Sequence, residues 1–120
     1  MATAYHHSLS SVKRWGGEVT DYVKIHEWFD ESKKLHGDFR HRALRHHTEG
    51  IQMAAQLFGA DDGTITNSSG RKIPVIWIGE QHVSEDMGFL PSFSDWAKHI
   101  QCEPWMNKPM KLSKTLEEVA

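Results

Sequence analysis

Nine of the 120 residues are histidine, and their placement invites chemistry. His26, His36, His41, His46 and His47 fall within one short stretch, and His82 follows in Glu80-Gln81-His82-Val83-Ser84-Glu85-Asp86. Neutral imidazole and carboxylate transfer protons and ligate divalent metals, so these residue types together point to a polar site. His82, Glu85 and Asp86 stand at i, i+3 and i+4, which puts them on one face of a helix. His26, His46 or His47, and His82, with Glu85 or Asp86, form the leading set. Such a group suits Zn, Mn or Fe with a position left for water, whose lowered pKa would give hydroxide for hydrolysis. In this reading His26, His46, His47, His82 and Glu85 are the metal ligands. His82 with Glu85 or Asp86 moves protons, and Lys33, Arg42 and Arg45 stabilise charge. The plainer reading makes His26 and His47 neutral interior groups bonded to backbone or to Glu85. His6, His7, His36, His41 and His99 are expected at the periphery. The compact metalloprotease spacings do not occur.

Two further groups have chemical potential. The run Lys33-Lys34, His36, Arg40-His41-Arg42, Arg45-His46 is dense enough to contact phosphates. Glu27, Asp30, Glu31 and Asp38 offset it, so a solvated face is the plainer account, and a small phosphate-bearing molecule suits it better than nucleic acid. Trp77, Phe93, Trp96 and Trp105 read as core, Trp105 as a lid over it; a partly exposed subset with Met106 and Met110 would instead form a protein-binding patch. Cys102 has His99 three residues away but no third group to orient it, so it is not read as a nucleophile.

The elements that must position these groups follow from periodicity. A Ser-rich arm over residues 1–19 ends at Gly16-Gly17. Thr20 or Asp21 caps a helix to about His36, with Gly37 as its stop. Asp38 caps a second helix from Phe39 to Phe58, closed by Gly59, in which Gly50 implies close approach of a backbone or ligand. The single-residue connection predicts an antiparallel helical hairpin. Thr64–Asn67 and Ile73–Ile78 read as a β-hairpin, followed by a short helix from Glu80 to Met87 and another from Ser92 to Ile100. Ser92 and Asp95 resemble a capping box. The expected fold class is therefore α+β: a helical hairpin packed with a small β-hairpin and two short C-terminal helices. A single domain spans residues 20–106, and residues 107–120 form a mobile or partner-dependent tail.

Several strings carry a resemblance: His26-x-Trp28-Phe29-Asp30-x-Ser32-Lys33, Asp38-Phe39-Arg40-His41-Arg42-Ala43-Leu44-Arg45-His46-His47, and Gly79-Glu80-Gln81-His82-Val83-x-Glu85-Asp86-x-Gly88. With Gly16-Gly17, Asp95-Trp96 and Pro104-Trp105-Met106 they cover about residues 6–106. Over that span the chain is similar to a family of small bacteriophage and bacterial proteins of unknown function. The resemblance implies no activity.

Composition narrows the classes. The net charge of −2 provides no global field toward nucleic acid or anionic membrane. A single cysteine excludes an intramolecular disulfide and a Cys-rich zinc site, and suits a reducing cytoplasm, a host cell's if the protein is phage-encoded. No apolar run reaches the ~18 residues needed to span a bilayer. Two readings remain: a metal- or phosphate-binding protein that hydrolyses a phosphoester, and a non-catalytic accessory protein that binds a host or phage protein. Buried histidines also predict stability that falls with pH.

Overall fold

The computed structural model describes residues 3–107. Helix α1 (Ala4–Trp15) is capped by Thr3, whose hydroxyl accepts from the His6 amide at 3.3 Å. A 3-10 turn (Val19–Asp21) leads into α2 (Val23–Asp30), which tightens into a second 3-10 turn (Glu31–Lys34). After the 3-10 turn Phe39–His41 come the single-turn α3 (Arg42–Arg45) and α4 (Thr48–Phe58). Strands β1 (Thr64–Thr66) and β2 (Lys72–Pro74) pair antiparallel, Ile65 opposite Ile73. Helices α5 (Val75–Met87) and α6 (Phe93–Ala97) and a 3-10 turn (Pro104–Met106) follow. The fold is α+β, mostly helical with one two-stranded sheet.

The buried apolar side chains form one cluster: Tyr22, Ile25, Trp28 and Phe29 from α2 and the turn before it, Ile51 and Ala54 from α4, Ile73, and Val75, Ile78 and Val83 from α5. Helix α5 lies centrally and packs against α1, α2 and α4. The expected arm is helix α1, and its inward face is polar: His7, Ser8 and Ser11 are all fully buried.

Three local expectations are corrected. Residues 75–78 are helical rather than strand. Pro74 has no N–H for a ladder, and from Val75, whose amide donates to the Gly63 carbonyl at 2.9 Å, the chain turns into α5. Gly79 is therefore a packing position, because a Cβ there would lie 3.0 Å from Ile51 and 3.1 Å from Phe29. The helix expected over 39–58 is broken at His46 (ψ 65°) and His47 (φ −162°). This break explains Gly50: a Cβ there would collide with the Arg45 carbonyl. Trp105 is no lid, since it is 76% exposed, and Phe93, Ile100 and Trp77 are also exposed. The capping box at Ser92 and Asp95 is present. Of the tail expected over residues 107–120, residues 108–120, with Met110 of the expected patch, lie outside the described residues.

Candidate metal centre

Two helices carry the same spacing. On α2, His26 and Asp30 are i, i+4; on α5, His82 and Asp86 are i, i+4, so each helix presents an imidazole and a carboxylate on one face. The break between α3 and α4 adds His46. His47 caps α4, its Nδ1 accepting the Gly50 amide at 2.9 Å, and this leaves His46 pointing to the interior.

Four ligand atoms converge, one each from Asp30, His46, His82 and Asp86, all within 4.8 Å of one another. His46 Nε2 lies 3.0 Å from Asp86 Oδ2 and 3.5 Å from Asp30 Oδ1. His82 Nε2 lies 3.3 Å from Asp86 Oδ2 and 3.5 Å from Asp30 Oδ1. Both histidines are fully buried, and Asp86 is nearly so. Asp30 Oδ1 and His82 Nε2 are buried and have no hydrogen-bond partner among the described residues. Buried polar atoms are almost always satisfied, and a cation between these two would satisfy both. These buried groups can hold a metal ion.

A second group, His7, His26 and His82, also meets within 4.8 Å. Its nitrogens are already engaged. His7 bonds Glu85 at 2.7 Å through Nδ1 and Asp86 at 3.1 Å through Nε2. His26 bonds Ser11 at 2.8 Å and His82 at 2.9 Å. His82 joins the two groups, facing His26 through Nδ1 and Asp30 and Asp86 through Nε2.

The electrostatics agree with this division. Burial pushes His26 down to about 2, and the neighbouring His82 and His7 add to the shift, so it is neutral. For His7 burial also acts downward, but the carboxylates of Asp86 and Glu85 outweigh it and raise the pKa. Burial would raise Asp30 and Asp86; the imidazoles around them win and hold both carboxyls well below the usual range.

Of the residues singled out from sequence, His46, His82 and Asp86 come together. His26 and Glu85 stand one step behind: His26 faces His82, and Glu85 binds His7, Ser10 and Gln81. His47 belongs to a helix cap. Arg45 stacks on Trp28 at 4.2 Å and donates to its carbonyl at 2.7 Å, and Arg42 points toward Met87, so neither arginine lies against the four ligand atoms. Lys33 lines a surface cleft of about 330 Å³ that reaches Asp30, with Lys34, Glu27 and Glu31. His7 and His41 are corrected from periphery to interior, at 0% and 1% exposure. Asp30 and His7 were missed. The repeated His-x-x-x-Asp spacing was the available signal for Asp30, and the Ser-lined face of α1 for His7. No helix among the described residues is long and apolar enough to cross a membrane. No curated protein and no solved structure matches the chain. The profile of one protein family, described as a domain of unknown function (DUF6915), matches residues 2–106.

Proposed function

The chain belongs to the DUF6915 family of domains of unknown function, and from its own geometry we propose that Asp30, His46, His82 and Asp86 bind a divalent metal ion in a phosphoester hydrolase. The observation that carries this reading is the fit of the four atoms. Ligands about 2.1 Å from an ion stand about 3.4 Å apart in a tetrahedron and about 3.0 Å apart in an octahedron. The four imidazole–carboxylate separations run from 3.0 to 3.5 Å, and all four atoms lie within 4.8 Å of one another. Two imidazoles and two carboxylates suit Zn²⁺, Mn²⁺ or Fe²⁺.

When bound, such an ion supplies Lewis acidity toward water and a phosphoryl oxygen. The protein residues do the rest. Asp86 is bridged: Oδ1 accepts from His7 while Oδ2 faces the ligand set, so its carboxylate is fixed in orientation. Asp30, 15% exposed, is the member that meets the cleft. Lys33 and Lys34 on that cleft supply positive charge for an anionic phosphoester.

The test is metal analysis of untagged protein, calorimetric titration with Zn²⁺ and Mn²⁺, and assay on p-nitrophenyl and bis-p-nitrophenyl phosphate. Stoichiometric binding lost in Asp30→Asn, with metal-dependent turnover, is expected. A folded protein that takes up neither ion refutes the reading. A second reading, an accessory protein that binds a protein partner, draws support from the exposure of Phe89 (57%), Ile100 (62%) and Trp105 (76%). Metal uptake without turnover on either ester would favour it.

A further inference from the structure

We infer that His26 is a positioning residue that fixes the tautomer of His82 and so presents His82 Nε2 to the metal centre. The inference rests on the metal reading for its purpose, and on hydrogen-bond direction for its evidence. Proton positions follow from counting donors and acceptors outward from an amide whose orientation is fixed.

That amide is Gln81. Its Nε2 donates to the His7 carbonyl at 2.8 Å and to Glu85 Oε1 at 2.8 Å. A flipped amide would set oxygen against both acceptors, so Oε1 is the atom that meets Ser11. The Ser11 hydroxyl donates to that oxygen at 2.6 Å and lies 3.2 Å from the His7 carbonyl. Both neighbours are acceptors, and a hydroxyl has one proton. Ser11 Oγ can therefore only accept from His26 Nε2, at 2.8 Å.

His26 Nε2 thus carries a hydrogen. The ring is fully buried, and its hydrogen bonds among the described residues go to Ser11 and His82, not to a carboxylate. It is neutral, so Nδ1 keeps its lone pair and accepts from His82 Nδ1 at 2.9 Å. His82 then carries a proton on Nδ1, so Nε2, which faces Asp30 and Asp86, is the nitrogen that a metal can take. Ring packing holds the plane: His82 stacks on Phe29 at 4.9 Å, and the His26 ring lies within 21° of its plane, edge to edge across the hydrogen bond. Outer partners of this kind set which nitrogen of a histidine binds metal, and losing one typically costs about 10–100-fold in affinity.

Long-range ¹H–¹⁵N correlation on histidine-labelled full-length protein tests the assignment directly. Expected is the Nε2–H tautomer for His26 with or without metal, and for His82 in zinc-loaded protein Nδ1–H with Nε2 on the ion. An Nδ1–H tautomer at His26, or zinc on His82 Nδ1, overturns the inference. Folded His26→Leu should lose about 10–100-fold in zinc affinity; unchanged affinity also overturns it. Should His26→Leu not fold, Ser11→Ala takes its place, expected to yield mixed His26 tautomers, and a retained pure Nε2–H form would count against the chain of donors. A wild type that takes up no zinc defeats the metal reading, while the His26 tautomer in that same sample still decides this one.

Discussion

Asp86 serves two masters, the imidazolium of His7 on one oxygen and the ligand set on the other. Asp86→Asn should therefore weaken metal binding by about 100-fold or more. It should also destabilise metal-free protein by about 3–5 kcal/mol, because His7 loses a buried counter-charge. Titration calorimetry and urea melts read the two effects separately. His26 sets a pH dependence. Folded His26 stays neutral, whereas the unfolded side chain protonates near pH 6.5, so below that value the unfolded state binds one more proton. Metal-free protein should lose about 1.4 kcal/mol per pH unit below about 6.5 from this residue, and urea melts between pH 6.5 and 5 check it. His7 acts oppositely: its stabilisation is present below about pH 6.5 and fades as pH rises through its elevated folded value. At this scale His46, His82 and Asp86 were legible because clustered imidazole and carboxylate announce themselves. Asp30 was not, since beside Lys33 and Lys34 it reads as a surface counter-charge. His7 was not, since the burial of one face of α1 depends on partners far along the chain.

Helix packing rather than helix propensity decided what the elements became. Val75, Ile76 and Ile78 are β-branched and follow β2 directly, which reads as a continuing strand. Pro74 ends the ladder, and burial of Val75, Ile78, Gly79, Gln81, His82 and Val83 leaves α5 enclosed on most sides, without the one-sided pattern that marks a surface helix. The capping signals at Ser92 and Asp95 were local and so were readable; the break at His46 and His47 was not, because apolar periodicity runs through it. Gly79→Ala should destabilise by about 1–3 kcal/mol, as its Cβ presses on Ile51 and Phe29. His47→Ala should cost about 1 kcal/mol by removing the α4 cap and leave metal affinity unchanged. Thermal melts and a zinc titration on the same sample distinguish a cap from a ligand.

Across the whole molecule, α1, α2, α5 and the α3–α4 junction each contribute to one polar centre set within the apolar core, so ligand binding and global stability are linked. Metal at 100 times its Kd should add about 2.7 kcal/mol, and raise Tm by roughly 10 °C at about 4 °C per kcal/mol; calorimetry with and without chelator measures it. The α+β class was readable from turn and period signals. The centre's full membership was not, because its contacts join residues far apart in sequence. His7 and Glu85 are 78 positions apart. During synthesis at ~5–20 residues per second, His7 is made about 4 to 16 s before its carboxylate partners. Through that interval Ser8 and Ser11 can bond to the carbonyls of α1 itself and Ser11 to His26 of α2, but the His7 ring has neither of its carboxylate partners.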